Sequence, residues 1–274
     1  MSHKMTFFRV DNGDQTLITF DNSVKLLIDI NITQDACDPD HERPDVLQQL
    51  LKRLPRDAMG RPYVHGMLLS HPDQDHCRGL KAHFHLGPLA EYPKGSGKIY
   101  VKEMLSSPLV FRRARRKGGE ATETLCEDAE YWNKEARRRV NQRKDLGYCP
   151  ENERIRILGE DEDGKTEGID DIVTKVDGVF STIDNTGAGF TATLLAPLPK
   201  ADASEEEVLS KNDSSVVLRI DFRVGMDPEA ARFLCGGDAG VAIWERLHDK
   251  HAPDLSVLEY DVLLTPHHCS WRSL

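Results

Sequence analysis

The chain begins with short apolar runs separated by polar turns. Residues 6–10, 15–20 and 24–30 are three such runs, parted by Asp11-Asn12-Gly13-Asp14 and Asp21-Asn22-Ser23, and they predict an antiparallel meander. The period then changes. Over residues 45–54, Val46, Leu47, Leu50, Leu51 and Leu54 share one helical face, with Pro44 at a helix start and Pro55 just beyond it. The next apolar run, Met67-Leu68-Leu69, ends abruptly in Ser70-His71-Pro72-Asp73-Gln74-Asp75-His76, which reads as a buried strand delivering titratable side chains to a tight loop.

From about 100 to 190 the pattern turns irregular and charged. Leu125, Ala129, Trp132, Ala136 and Val140 form the apolar stripe of a helix over about 126–145. Residues 159–171 are acidic and read as an exposed loop. Regular alternation returns with a strand at 190–196, a loop at Asn212-Asp213-Ser214-Ser215 feeding the strand that starts at Val216, a strand at 232–235 ending in Gly236-Gly237-Asp238, and a last strand ending in Pro266-His267-His268-Cys269-Ser270. Strand, helix and strand in the first half, and strands ending in polar turns in the second, predict an α/β (α+β) chain.

Composition narrows this picture only modestly. With 274 residues, 39% of them hydrophobic, the chain can bury a large core as one domain with an insertion. A formal charge of −10 argues against a uniformly basic nucleic-acid surface, although a local basic cleft is compatible with it. The cysteines are scattered with no CxxC pair, and the start Met-Ser-His-Lys-Met carries no secretory apolar stretch, so a cytoplasmic, reduced protein is the expectation. No apolar run approaches the roughly 18 residues of a membrane helix.

Chemistry enters at three strand ends. His71, Asp73, Asp75 and His76 offer imidazole nitrogens and carboxylate oxygens within six residues, a mixture suited to zinc and to harder ions such as manganese or magnesium. Asp238 follows a glycine pair and can either bridge two cations or cap the helix expected over 239–249. The pair His267-His268 closes the last strand. Two basic segments stand apart: Arg112, Arg113, Arg115, Arg116 and Lys117, and then Arg137, Arg138, Arg139, Arg143 and Lys144. These either contact phosphates or form a solvated face balanced by Glu127, Asp128, Glu130 and Glu135.

The loop resembles the metallo-β-lactamase superfamily signature His-x-His-x-Asp-His, with Asp73 where the second histidine usually stands. That variant is similar to the soluble domain of the DNA-internalisation competence (ComEC-type) branch, as are Gly13-Asp14, Leu27-Ile28-Asp29 and the terminal His-His motif. Ile30-Asn31 departs from the branch, which has glycines there, and Cys269 stands for a glycine. The resemblance implies an αββα metallo-β-lactamase-like sandwich in one domain, 1–274, with a charged, partly helical insertion at about 103–190 and a C-terminal part that stops short of the usual final strand and helix. An unpaired sheet edge there predicts self-association or a protein partner.

The implied centre comprises two divalent metal ions, zinc or manganese with magnesium as a further option. Its ligands would be His71, Asp73, Asp75, His76, Asp238 and His267; Asp213, with Asn212 in the place of a third histidine, would be a further ligand or else cap the strand or orient another ligand. Asp75 would orient the nucleophile, Asp238 would bridge ions ~3.5–4 Å apart, and His268 would be an alternative ligand or a proton carrier. The expected reaction is hydrolysis by a metal-activated water, with nucleic acid as the substrate in a nuclease or phosphodiesterase. The alternatives are a hydrolase of a lactone, thioester or cyclic nucleotide, and a metal-bearing subunit that binds a partner.

Overall fold

The structure is a computed structural model that describes residues 2–37, 42, 44–111, 125–160, 164, 166–198 and 212–270. Within these, the first sheet starts with the antiparallel meander β1 (Lys4–Phe7), β2 (Thr16–Thr19) and β3 (Lys25–Ile28). The short β4 (Ile30–Asn31) follows, then helix α1 (Val46–Leu51), whose first turn is capped by Asp45 accepting from the Gln48 N–H at 2.8 Å. Next come β5 (Tyr63–Leu69), the short helices α2 (Gln74–Cys77) and α3 (Leu80–His83), β6 (Phe84–His85) and β7 (Ile99–Ser106). Helix α4 (Glu127–Leu146) carries acids in its first turn and Arg143 and Lys144 in its last, matching its dipole, and stops at Gly147 with φ 79°. Strands β8 (Arg154–Leu158) and β9 (Val173–Thr174) complete an eight-stranded sheet of order β1-β2-β3-β5-β7-β8-β9, with β6 beside β7.

The second sheet has five strands: β10 (Val179–Ile183), β11 (Thr186–Ala196), β12 (Val217–Val224), β13 (Asp227–Cys235) and β14 (Val262–Leu264), in that order, with helix α5 (Val241–His251) between the last two. Three apolar clusters account for the layering. Leu27, Val64, Met67, Leu69 and Met104 on one face of the first sheet pack with Val46 and Leu50 of α1 and with Trp132, Ala136 and Val140 of α4. Leu26, Ile28, Leu68 and Leu105 on the other face meet Phe190, Leu194, Leu218, Ile220 and Phe233 of the second sheet. Val217 and Leu234 turn the opposite way, onto Ile243 and Leu247 of α5. The result is helix, sheet, sheet, helix, an α+β sandwich of two sheets between helical layers. Strands β3 and β5 are buried on both faces, which is why they read as continuous apolar runs rather than alternating ones.

The expected insertion at 103–190 is largely woven into the two sheets. Strand β8 pairs in parallel with β7 from Glu103↔Arg154 onward, and β10 joins β11. Its alternation of Arg154 and Arg156 with buried Ile155 and Ile157 is a strand pattern in which the outward positions are cations, and their charge masked it. The arginines are partly exposed and paired: Arg156 donates to Glu103 at 3.0 Å and Arg154 to Asp184 at 3.2 Å. Among the described residues, β14 pairs only β13 and forms one edge of its sheet. No helix among them is long and apolar enough to cross a membrane.

Candidate metal centre

The carboxyl-terminal ends of β3, β5, β13 and β14 meet at one place, and each delivers a polar residue there. Strand β5 passes straight into Ser70 and His71. Asp29, directly after β3, is fully buried with φ 53° and accepts three hydrogen bonds: from the Ser70 N–H at 2.7 Å, from the Ser70 hydroxyl at 2.5 Å and from His76 Nδ1 at 2.8 Å. Ser70 also joins the sheets, since its carbonyl accepts from the Val216 N–H at 2.9 Å. Gly237, with φ 49°, passes so close that a Cβ would stand 2.8 Å from Ser70 Oγ, so only glycine fits this crossing. Asp238 follows, its N–H donated to Ser215 Oγ at 3.1 Å.

These contacts set the histidine tautomers. Asp29 can only accept, so His76 carries its proton on Nδ1 and leaves Nε2 to face Asp238. Ser70 gives its hydroxyl proton to Asp29 and therefore accepts at Oγ, where His71 Nδ1 lies 3.1 Å away. His71 Nε2 is then also a bare acceptor. One buried carboxylate thus turns two imidazole Nε2 atoms toward Asp238, one directly and one through a serine.

Asp238 divides the site. Its Oδ1 lies 3.0 Å from His76 Nε2 and 3.7 Å from His268 Nε2, while its Oδ2 lies 3.6 Å from His71 Nε2 and 3.8 Å from His267 Nε2. Asp73 Oδ2 is 3.6 Å from His71 Nε2 on the second side. On the first side Asp75 Oδ2 stands 3.3 Å from His268 Nε2, and Asp14 Oδ1 3.7 Å from His268 Nδ1. Asp14, His76, Asp238 and His268 bring donor atoms within 4.8 Å of one another and could hold a metal ion. The buried atoms His71 Nε2, Asp238 Oδ1 and Asp14 Oδ2 have no hydrogen-bond partner. Orphaned buried acceptors on both sides of Asp238 are costly unless a cation joins them, so the residues present fit a divalent ion.

Protonation follows from the charges. Burial alone would lower the His76 pKa, but Asp29 and Asp238 outweigh it and hold the imidazole well above its usual value. Hydrogen bonds to Asp14 and Asp75 push His268 up to about 9. The His268 contact in turn holds the Asp75 carboxyl well below the ordinary range, and His76 lowers Asp238 against the effect of burial. Without a metal, protons occupy the place a cation would take.

The sequence-predicted residues divide into groups. His71, Asp73, Asp75, His76, Asp238, His267 and His268 are brought together. His268, expected as the alternative ligand, lies in the four-residue cluster, whereas His267, expected as the ligand, faces the other oxygen of Asp238. Asp213 has its backbone in the turn Asn212–Ser214, and its side chain lies outside the described set. Arg112, Arg113, Arg115, Arg116 and Lys117 lie outside the described residues. Arg138 is bound internally, to Glu135 at 2.7 Å and Glu153 at 2.9 Å, and Arg137 donates to the Val110 carbonyl. Arg139 is buried against Glu135 at 2.6 Å and donates to the Val101, Lys102 and Arg154 carbonyls. Much of the basic run on α4 therefore holds the fold together. Cys77, next to His76, is buried with its sulfur 3.1 Å from the Asp73 carbonyl.

Asp14 and Asp29 were not anticipated as site residues. Asp29 ends an apolar run just as Ser70-His71 does, and that parallel was the available signal. Asn31, where glycines were expected, donates to the Val10 carbonyl at 3.1 Å and to that of Asn12, and so fixes the turn that carries Asp14.

No protein-family profile matches the sequence, and no curated protein matches it. Among solved structures the chain is similar to zinc-bound PqqB from Methylobacterium extorquens, with 14% identity and a TM-score of 0.35, over 81% of this chain and 51% of that one. The chain therefore spans about half the length of that structure.

Proposed function

We propose that the protein is a metal-dependent hydrolase with phosphodiesters as its substrate class. The observation that carries this reading is the division of Asp238, with one carboxylate oxygen facing His76 and His268 and the other facing His71 and His267. His76, His268, Asp14 and Asp75 would hold one divalent ion, and His71, Asp73 and His267 a second, with Asp238 shared. Such ions supply Lewis acidity, which lowers the pKa of water toward neutrality and polarises a phosphoryl oxygen.

The chain's own groups supply the rest. Asp29 and Ser70 hold a proton on Nδ1 of both buried histidines, so Nε2 is the nitrogen each would present to an ion. Asp75, half-exposed and strongly acidic, orients an incoming water. Where His268 does not itself hold the ion, its place between Asp75 and Asp14 lets it move a proton toward the leaving group. Asp73 in place of an imidazole makes the donor set richer in oxygen, which supports manganese or magnesium alongside zinc. A shallow cavity against α4, lined by Glu130, Asn133, Lys134, Arg137, Arg138 and Asn141, offers cations to an anionic substrate.

A second reading, hydrolysis of a small lactone, thioester or cyclic nucleotide, is favoured by one observation: Arg139 is buried and Arg138 is paired with Glu135 and Glu153, so part of the basic run on α4 is neutralised within the fold. Metal analysis coupled to cleavage of bis(p-nitrophenyl) phosphate, single-stranded DNA and a lactone, each with zinc, manganese and magnesium, separates the two. Asp75→Ala is the inactive control. Metal-dependent lactone cleavage with both phosphodiesters untouched would replace the first reading with the second, and stoichiometric metal without turnover of any of them would leave a metal-bearing binding subunit.

A further inference from the structure

We propose that Cys77 and Cys126 are a peroxide-responsive dithiol, closing to a disulfide that ties the loop bearing His76 to the start of α4. The two sulfurs lie 3.4 Å apart, in contact, though 49 residues separate them in sequence. Cys77 immediately follows His76 and is fully buried, whereas Cys126 is partly exposed at the N-cap position of α4. The surroundings hold this pairing in place, since Asp128 of α4 accepts the N–H groups of Gly79 at 3.1 Å and Lys81 at 2.7 Å. The other described cysteines, Cys149, Cys235 and Cys269, have no sulfur contact of this kind among the described residues.

The roles of the two thiols differ. The hydrogen bond from Cys77, together with the Ala129 and Asp128 N–H groups at the helix start, favours the Cys126 thiolate despite its burial, and the same bond with burial keeps the Cys77 thiol protonated until Cys126 is oxidised. A thiolate at a helix N-terminus is the form that attacks peroxide. Cys126 sulfur would attack hydrogen peroxide, forming S–O as O–O breaks, and the released hydroxide takes a proton from solvent. Cys77 sulfur would then attack Cys126 sulfur, forming S–S as S–O breaks, with the Cys77 proton leaving on the second water. Two thiols lose two electrons, and one peroxide becomes two waters.

Closing the bond shortens 3.4 Å to about 2.05 Å. The required movement of about 1.3 Å falls on the residue next to His76, and through it on the Asp29–His76–Asp238 line. Displacement of a ligand's support on this scale weakens metal binding by ~10-fold or more. That consequence rests on the metal reading above, whereas the disulfide itself does not.

The test uses the full reduced, metal-free chain. After exposure to hydrogen peroxide, free thiols are alkylated and the unreduced digest is examined by mass spectrometry. A Cys77–Cys126 linked peptide that dithiothreitol removes is expected. Zinc and manganese affinities by chelator competition should fall ~10-fold on oxidation and recover on reduction. Cys126→Ser, which keeps a good helix N-cap, should bind metal like the reduced parent and ignore peroxide. Recovery of both cysteines as separate thiols or separate sulfinic acids overturns the proposal. A bridge formed with unchanged metal affinity overturns the coupling to the centre. If the reduced parent binds neither ion, the metal reading fails along with the coupling, and the peptide map alone decides the disulfide.

Discussion

Asp29→Asn isolates the group that orders the centre while leaving every donor in place. Asparagine tolerates the observed φ of 53° and occupies the same volume, so the backbone after β3 is retained. Its amide oxygen can still accept the Ser70 N–H, now at 2.7 Å, but an NH2 group replaces the oxygen that accepts from Ser70 Oγ at 2.5 Å and His76 Nδ1 at 2.8 Å. An amide N–H beside His76 Nδ1 demands a lone pair there. The imidazole proton therefore moves to Nε2, the atom that faces Asp238. Ser70 loses its acceptor as well, and with it the reason for His71 to keep its proton on Nδ1. Loss of an outer partner of this kind weakens metal binding about 10- to 100-fold, equivalent to about 1.4–2.8 kcal/mol. Competition of the purified variant against a chelating indicator at neutral pH, with circular dichroism to show that it folds, measures the effect. A folded Asp29→Asn protein that binds zinc and manganese within two-fold of the parent would refute the tautomer reasoning.

The remaining predictions concern protons, space and a buried ion pair. His268 has an ordinary value of 6.5 raised to about 9, so its stabilising contribution to the metal-free protein is complete below about 6.5 and disappears as pH rises through about 9. Asp75 and Asp238 are depressed, so theirs is present above the ordinary carboxylate range and lost on acidification below it. Urea unfolding of the metal-free chain should therefore weaken from pH 6.5 to 9, and saturating metal should abolish that slope by taking the proton's place. Gly13→Ala puts a Cβ 2.4 Å from both Asn31 Nδ2 and the Asp75 carbonyl at φ 126°, and should lower unfolding stability by about 2–3 kcal/mol. Glu135→Ala strips the partner from Arg139, which is only 2% exposed, and should cost about 3–5 kcal/mol in the same assay while leaving metal affinity unchanged.

The parts of the fold legible in the sequence are those where local pattern and burial coincide. Met67-Leu68-Leu69 is covered on both faces, so its apolar continuity signals a central strand, and the change to Ser70-His71 marks where the strand leaves the core. The same logic applies to Leu27-Ile28-Asp29, but a single buried aspartate lacks the density of His-x-Asp-x-Asp-His, and its function depends on Ser70 and His76, 41 and 47 residues away. Asp14 was hidden more deeply. Gly13-Asp14 is indistinguishable from an ordinary turn until Asn31 and the Asp75 backbone are packed against it. Arg139 was legible in principle: it lies three residues after Ala136 and seven after Trp132, within the apolar stripe, where a solvated cation does not belong. Charge outweighed position in reading the run 137–139, and the same weighting hid the alternation of β8.

The paired histidines show how both oxygens of Asp238 come to face an imidazole. His267, His268 and Cys269 are successive left-handed residues, with φ of 48°, 52° and 67°. For residues other than glycine each costs roughly 1–2 kcal/mol, which persists only where the surroundings require it. The turn is held from both sides, by the His267 N–H on the Gly237 carbonyl at 3.0 Å and the Ser270 N–H on the His267 carbonyl at 2.8 Å. It sends successive imidazoles to opposite oxygens of Asp238. With a carboxylate at Asp73, the side of the centre facing Asp238 Oδ2 has His71 as its buried nitrogen, and His267 supplies another. If this division is correct, His267→Ala and His268→Ala each reduce the bound metal by one class of site, with His268→Ala the more severe because His268 also holds Asp75 and Asp14. Titration calorimetry resolves the two losses. Identical, complete loss of binding in both variants would mean that one ion, rather than two, spans Asp238.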